Sequence, residues 1–367
     1  MAPTSNRPWP LGRLALAAAS LAFAAGRRRE RQPRDPAHLA LSPGAGDEDV
    51  PRAEADRGRD AEAPQQIPAK GWKDILIRTW KEFLDDQAPL VAAGVTFYSL
   101  LALFPGIGAF VALWGLFGDV AEAQEDLRSL SGLLPGGAIT VIGDQMANVA
   151  AANQGGLSLA ALGGLLVSIW SANGAMKAVI AGIGLAYDER EERGFVRKTL
   201  TSLGFTVGFL LFALAVAVVL VTGPALEVFA GRAAALLFAI MAWPAMFALL
   251  CLGLAVLYRY GPSRDRAKWR WISWGSVAAA TLWLAASVAF SLYAANFGSY
   301  DKTYGPLGAV MGFMTWIWIS SMVVLLGAEL NSEIEHQTAK DSTVGPPRPL
   351  GQRGATMADT VGAAQGR

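Results

Sequence analysis

The sequence predicts an all-α integral membrane protein, a bundle of six transmembrane helices with both termini in the cytoplasm. Three observations lead to this fold class: the composition, the length of the apolar segments and the distribution of basic residues. The 367 residues are 53% hydrophobic and only 17% charged, whereas a soluble domain has about 25% charged residues. A chain this poor in charge is typical of a protein embedded in lipid.

Six long apolar segments follow one another along the chain, at about 90–117, 157–186, 200–222, 234–257, 272–296 and 307–328. A hydrocarbon core of about 30 Å takes about 20 helical residues to cross, so each segment is long enough to span it. Polar or Gly/Pro-containing stretches separate the segments. The pattern therefore predicts six spans.

The basic residues between the segments predict the orientation, because the cytoplasmic connections of membrane proteins carry an excess of Lys and Arg. The stretches before the first span, between the second and third, and between the fourth and fifth hold four, four and five basic residues. The other three connections hold one each, Arg128, Arg232 and Lys302. This alternation places both termini inside and agrees with six spans.

The stretch before the first span predicts a helix that lies in the membrane interface. Apolar and polar residues recur there on opposite helical faces, and the apolar face consists of Trp72, Ile75, Leu76, Thr79, Trp80 and Phe83. The first outside connection, 118–156, predicts two short amphipathic helices joined at Pro135. These helices form either a lid over the bundle or a gate, and the sequence does not separate the two.

Both ends of the chain predict disorder. Residues 1–69 form an N-terminal extension with few large apolar side chains after residue 26, so it cannot offset the entropy of ordering. An apolar run at 14–25 is shorter than a span. It is either an Ala-rich or surface-lying segment, or an extra anchor or the result of a misassigned start. Residues 336–367 predict a disordered cytoplasmic tail, which leaves 70–335 as the membrane domain.

Catalytic chemistry has little support in the sequence. A hydrolase or nuclease needs ligands or acid–base groups that converge, yet His38 and His336 lie in the polar ends and Cys251 stands alone in an apolar segment. The acidic residues of 188–192 alternate with arginines as in a solvated loop, and no phosphate-binding glycine loop is present. We therefore expect no enzyme, no cofactor and no metal. The net charge of +1 argues against a nucleic-acid partner.

Lys177 is the clearest candidate functional residue, because an ionisable group within a span costs at least about 2.5 kcal/mol to insert. It lies in the second segment with Trp170 and Asn173. Two interpretations stay open. Lys177 faces the bundle interior and pairs with a group such as Glu329, at the cytoplasmic end of the sixth span, or its flexible stem carries the ammonium to the interface.

Two further features mark a candidate substrate path. Pro105 interrupts the first span, and broken helices expose backbone polar groups in many transporters, although kinked spans also occur without transport. The outer junction of the last two spans is rich in tyrosine and hydrogen-bonding groups. It forms either the outer mouth of a path or an aromatic interface belt, and its candidate residues are Tyr293, Asn296, Tyr300 and Tyr304.

Several separated motifs carry a family resemblance. They are FYSLLALFP at 97–105, WSANGAMK at 170–177 followed by Tyr187-Asp188, LYRYGP at 257–262, the Tyr-rich stretch 290–309 and LGAELN at 326–331. In this order they resemble the YihY/BrkB family of bacterial inner-membrane proteins, over about residues 70–335. The resemblance implies a six-span bundle with both termini inside. Family members have been labelled ribonucleases, for which the residues here give no support, and are also associated with envelope transport.

The leading functional hypothesis is a transporter or translocation component of the bacterial inner membrane, with an envelope-related, lipidic substrate and membrane lipids as partners. It follows from a buried cation, broken spans and the lack of a catalytic cluster. The alternative is a scaffolding membrane protein that holds protein partners, or a second copy of itself, through its cytoplasmic loops and tails. A membrane-bound nuclease has the least support.

Overall fold

The computed structural model describes residues 56–114, 159–296 and 306–365, and these residues fold into helices joined by short connections. The helices are α1 Ala69–Asp85, α2 Ala88–Trp114, α3 Leu159–Ala186, α4 Phe195–Ala230, α5 Arg232–Tyr260, α6 Trp269–Asn296, α7 Pro306–His336 and α8 Thr356–Asp359. No β-strand occurs in these ranges, where pairing is limited to one isolated antiparallel bridge between Ala267 and Thr343. The all-α prediction is confirmed for this part of the chain.

Within the described residues, four helices are long and apolar enough to cross a membrane. They are Phe195–Ala230, Arg232–Tyr260, Trp269–Tyr293 and Val310–His336. Shorter apolar stretches, Ala88–Ala102 and Ala172–Ala186, lie in α2 and α3. Each predicted apolar segment thus falls on a helix.

The connections that the basic residues assign to one side of the membrane meet at one end of the bundle. The segment before α1, the α3–α4 connection, the α5–α6 connection and the segment after α7 contact one another there. We call them together the polar cap (residues 56–69, 187–194, 261–268 and 337–365). The backbone bonds include Ala339 N–H to the Arg59 carbonyl at 2.8 Å and Val344 N–H to the Arg266 carbonyl at 2.9 Å.

Small residues form the core where the helices cross. Ala92 of α2, Ala280 of α6 and Ala328 of α7 are completely buried, and Ala186 of α3 is almost so. Small side chains let helix backbones approach closely, which is how helices associate in lipid without a hydrophobic driving force. The closest approach joins α6 and α7, where the backbone N–H of Gly275 donates to the Asn331 side chain at 2.8 Å.

Helix α1 has the predicted location before the first apolar segment, and part of its polar face is buried against the protein. Asp74 and Arg78, expected on the polar face, are buried, whereas Leu76 and Trp80 are exposed. Arg57 reaches Asp74 at 2.5 Å, and the Arg78 guanidinium reaches a carboxylate of α7 at 2.5 Å. The periodicity shows which residues share a face, but it does not show that ion pairs draw the charged side inward.

The expected disorder at 336–367 is replaced by defined packing as far as residue 365. Arg353 is completely buried, and its guanidinium donates to the carbonyls of Ala339 and Ala358 at 2.8 and 2.7 Å. On the N-terminal side, Arg59 donates to the Gln337 carbonyl at 3.1 Å. Composition predicts how much apolar surface a segment can bury, but it does not reveal arginines that donate hydrogen bonds to backbone carbonyls. The predicted features at 1–55 and 118–156, including the run at 14–25 and the two amphipathic helices, lie outside the described residues.

Candidate functional site

Lys177 lies on the side of α3 that faces α4. Its ammonium lies over the ring of Trp170, 5.4 Å from the centroid, and over the ring of Phe195, 5.8 Å away. Both aromatic side chains are more than half exposed. Among the residues that the structure describes, no carboxylate forms an ion pair with Lys177, so the pairing with Glu329 is not found. Since Phe195 is the first residue of α4, the stem carries the charge toward the helix end, as the interface interpretation expects.

Beside Lys177 runs a strip of buried polar groups between α3 and α4, which we call the polar seam (Asn173, Thr199, Ser202 and Thr206). All four residues are at least nine-tenths buried. The Thr206 hydroxyl donates to the Ser202 carbonyl at 2.9 Å and lies 3.4 Å from the Asn173 amide oxygen. The amide nitrogen of Asn173 and the hydroxyl of Thr199 have no hydrogen-bond partner within the described ranges. Unsatisfied buried groups are costly in an apolar environment, which makes this seam a candidate binding site.

The remaining predicted path residues are not brought to Lys177. Helix α2 continues through Pro105 without ending there. Tyr293 is half exposed near the far end of α6, and Asn296 is the last residue of that helix. At 1.5 Å per residue, Tyr293 lies roughly 20 Å further from the polar cap than Lys177. Tyr300 and Tyr304 lie outside the described residues.

Glu329 belongs to a different cluster, at the boundary between the helices and the polar cap. It is buried on α7, close to Tyr187, which follows α3. Burial raises the pKa of the Tyr187 hydroxyl far above its usual range, and the Arg264 guanidinium acts in the opposite direction. The Arg264 guanidinium lies 4.7 Å from the Tyr187 ring centroid. The family motif at 326–331 therefore meets the motif Tyr187-Asp188 in space.

The centre of this cluster is a buried ion pair. Arg264 contacts Glu335 at 2.6 Å, with both side chains almost fully buried, and the Ser342 hydroxyl donates to the same carboxylate at 2.5 Å. Although burial disfavours the charged form, Glu335 holds the pKa of the Arg264 guanidinium above its ordinary value. The pair joins the α5–α6 connection to α7 and to the chain that follows it.

A second contact ties the end of the chain to the α3–α4 connection. The Thr356 backbone N–H donates to the Glu189 carboxylate at 2.7 Å, and the Thr356 hydroxyl donates to the Asp188 carbonyl at 3.3 Å. Burial raises the pKa of the Glu189 carboxyl, while the bond from Thr356 acts against that shift. Asp188 has a left-handed backbone (φ 52°), which ends α3 and turns the chain toward this contact.

Lys177 and the polar seam can bind a ligand, whereas the Arg264–Glu335 pair and the Thr356–Glu189 bond hold the connections between helices together. Sequence reasoning found Lys177 and Asn173 but missed Thr199, Ser202 and Thr206. The signal was available, because three hydroxyl residues at i, i+3 and i+7 share one face of an otherwise apolar helix. Sequence reasoning also counted Arg264 only among the basic residues that predict the membrane orientation, because the position of its partner Glu335 depends on tertiary structure. In the described ranges, no three His, Cys, Asp or Glu side chains are placed to hold a metal ion.

The apolar helices and the charged cap at one end define an all-helical membrane protein. Residues 79–350 match the family described as virulence factor BrkB. The chain therefore belongs to this family, and the resemblance drawn from the motifs is confirmed.

Similar proteins occur in distant bacteria. The putative ribonuclease-like protein YfkH of Bacillus subtilis is 26% identical over 248 residues, which cover 66% of this chain and 88% of the relative. A UPF0761 membrane protein of Pseudoalteromonas atlantica is 27% identical over 280 residues, covering 73% and 90%. Another UPF0761 membrane protein, from Tolumonas auensis, is 35% identical over 82 residues, covering 22% and 27%. No solved structure gives a significant match.

Proposed function

We propose that this chain is a six-span protein of the bacterial inner membrane with both termini in the cytoplasm. The support is the polar cap, in which all the connections rich in Lys and Arg meet at one end. Helices α2 and α3, α4 and α5, and α6 and α7 then form three hairpins that each start and finish at this end. The positive-inside rule assigns that end to the cytoplasm. Accessibility of single cysteines at 190 and 268 from outside intact cells would contradict the orientation.

We further propose that the protein transports or translocates an amphipathic, lipidic envelope component with a negatively charged headgroup. The observation that carries this proposal is Lys177, a cation that forms no ion pair with a carboxylate of the described residues and that lies beside the polar seam, over two exposed aromatic rings. An ammonium held by rings keeps its charge available for an anion. The exposed Trp170 and Phe195 provide apolar contacts for the part of the substrate next to its headgroup.

The polar seam supplies the second half of this argument. A headgroup that leaves the interface needs hydrogen-bonding groups along its route, because none is available from lipid chains. The amide nitrogen of Asn173 and the hydroxyl of Thr199 offer such groups at the α3–α4 contact. Acyl chains would stay outside, against α4, whose exposed side chains include Phe209 and Leu211.

The first experiment compares the lipids that remain bound after purification in mild detergent, identified by mass spectrometry. Wild type is expected to retain a specific anionic lipid, and Lys177→Ala is expected to lose most of it, by about tenfold if one charge-assisted contact is removed. Lys198→Ala is the matched control, since Lys198 also lies near the start of α4 but pairs with Glu191 at 4.0 Å. Equal retention in all three proteins would contradict the proposal and make Lys177 structural.

The second candidate function is a scaffold that holds a protein partner on the polar cap. The observation favouring it is the cap itself, which is too extensive to serve only as a connection and leaves residues 344–349 exposed on its surface. Deleting the end of the chain does not test this idea, because Arg353 and Thr356 stabilise the fold. Charge reversal at the exposed Arg348 is the better test, with envelope integrity as the readout. An effect larger than that of Lys177→Ala would favour the scaffold.

We propose that the protein is not an enzyme. The ribonuclease-like name belongs to the relative from Bacillus subtilis. Purified protein incubated with RNA and Mg²⁺ or Mn²⁺ is expected to leave the RNA intact. Metal-dependent cleavage that a single substitution abolishes, with the melting temperature unchanged, would contradict this.

A further inference from the structure

Besides Lys177 and its two aromatic neighbours, another group of basic and aromatic residues lies where α5 meets α6 at the polar cap. Arg259, in the last turn of α5, is 9% exposed, yet two of its guanidinium nitrogens, Nε and Nη1, have no hydrogen-bond partner among the described residues. Its guanidinium carbon lies 4.3 Å from the ring centroid of Trp269, the first residue of α6. A buried cation that lacks acceptors is a costly arrangement unless a ligand completes it.

A second guanidinium adds to the same positive charge. Arg259 lies 5.4 Å and Arg266 5.1 Å from the ring centroid of Tyr260. Tyr260 in turn contacts Trp269 edge to face, with centroids 6.4 Å apart. The two guanidinium groups therefore lie close to one ring and repel each other, and an anion bound near that ring would reduce this repulsion.

The nearby carboxylates do not supply this anion, because other cations hold them. Glu191 pairs with Arg193 at 2.7 Å, Asp265 with Arg348 at 3.0 Å, and Glu335 with Arg264 at 2.6 Å. Within the described ranges neither Arg259 nor Arg266 forms an ion pair. Arg259 and Arg266 are therefore two arginines whose charge the described residues leave uncompensated.

We propose that Arg259 and Arg266 form a binding site for a phosphate group, carried by an anionic lipid of the leaflet that contacts the polar cap. Guanidinium groups bind phosphate through two parallel hydrogen bonds, which makes arginine suited to this chemistry. Trp269 is 45% exposed at the start of an apolar helix, where tryptophan takes its place among lipid headgroups. Anionic lipids of the cytoplasmic leaflet are attracted to such basic segments. The site is distinct from Lys177, and it does not depend on the proposed transport.

The test is native mass spectrometry of the full chain in mild detergent, titrated with dioleoyl phosphatidylglycerol or dioleoyl phosphatidylcholine. Arg259→Gln is expected to weaken phosphatidylglycerol binding about tenfold and to leave phosphatidylcholine binding unchanged. Arg270→Gln is the matched control, because it removes the same charge from an exposed residue at the start of α6, next to Trp269. Equal weakening by both variants would show a diffuse charge effect and overturn the site, as would wild-type binding by Arg259→Gln.

Two further measurements keep the test decisive. If Arg259→Gln does not fold, Arg266→Gln takes its place, since Arg266 is exposed, and it is expected to weaken binding at least threefold more than Arg270→Gln does. Equal effects would overturn the proposal. Inorganic phosphate serves as competitor, and chloride at equal ionic strength is the control for screening. Retention of phosphatidylglycerol supports the lipid as ligand, whereas displacement would assign the site to free phosphate and overturn the lipid assignment.

Discussion

The contact between α6 and α7 allows one prediction to be worked out in detail. Replacing Gly275 by Ala adds a Cβ atom that would collide with the carbonyl oxygen of Gly327 and lie 2.5 Å from the Asn331 side chain. Both neighbours are held in place, because the first belongs to a helix backbone and the second accepts the Gly275 N–H at 2.8 Å. The helices must therefore separate, or the hydrogen bond must break.

The expected loss of stability follows from these two effects. Overpacking of a well-packed contact costs about 1–3 kcal/mol, and loss of the hydrogen bond adds about 0.5–1.5 kcal/mol. Gly275→Ala should then lower the free energy of unfolding by roughly 2–4 kcal/mol. Gly312→Ala, on α7, is the matched control because its Cβ meets no atom within 4 Å. It should be neutral or stabilise the helix by up to about 1 kcal/mol.

The assay is the apparent melting temperature in mild detergent, followed by tryptophan fluorescence at one heating rate. At about 2–4 °C per kcal/mol, Gly275→Ala should melt roughly 4–16 °C below wild type. The reasoning is refuted if Gly275→Ala melts together with Gly312→Ala, since the two differ only in what the new methyl group meets.

Further predictions concern the polar cap. Glu335→Gln leaves the buried Arg264 charge without its partner and should lower stability by about 3–5 kcal/mol, whereas Arg264→Met with Glu335→Leu should recover most of it in the same melting assay. Because burial raises the pKa of Glu189, its contribution to stability is present below about pH 4.5 and is lost as the pH rises through the raised pKa. For Asp341, burial acts to raise the pKa, but hydrogen bonds from Thr343 and Arg348 outweigh it and lower the pKa. Its contribution is therefore present above the ordinary value of 3.8 and lost as the pH falls through the lowered pKa. Hydrogen exchange should accordingly show 341–348 loosening in acid, and Asp341→Asn should abolish this effect, while Glu189→Gln should remove the pH dependence assigned to Glu189 from the melting temperature.

Sequence reasoning predicted the parts of the fold that depend on local composition. Segment length and hydropathy placed every apolar helix, and the family motifs identified the family. The polar cap could not be predicted, because its stability comes from arginines such as Arg353 and Arg59 that bind backbone carbonyls distant in sequence. The same reason explains why the polar seam was not predicted, since a threonine on an apolar helix indicates a polar site only once its neighbour Asn173 is known.

The packing of the helices suggests which element moves if the polar seam admits a substrate. In the most apolar 18-residue stretch of each helix, only 6% of the residues are buried in α4 and in α5, compared with 22% in α6 and 17% in α7. Weakly packed elements open at the lowest free energy, so separation of α4 from α3 is the least costly route into the seam.

A disulfide across the seam would test this motion together with the proposed transport. The side-chain oxygens of Asn173 and Thr206 lie 3.4 Å apart, so cysteines at these positions face each other across the seam. Loss of free thiol on oxidation shows that the disulfide has formed before transport is measured. Asn173→Cys with Thr206→Cys, in a Cys251→Ser background, removes the Asn173 amide and should lower translocation of a fluorescent anionic lipid in proteoliposomes; the activity that remains in the reduced form should be lost on oxidation. The Thr206→Cys single variant controls for oxidation itself. Equal activity of the reduced and cross-linked forms would place the substrate route elsewhere, because a seam held shut by a covalent bond cannot admit a headgroup.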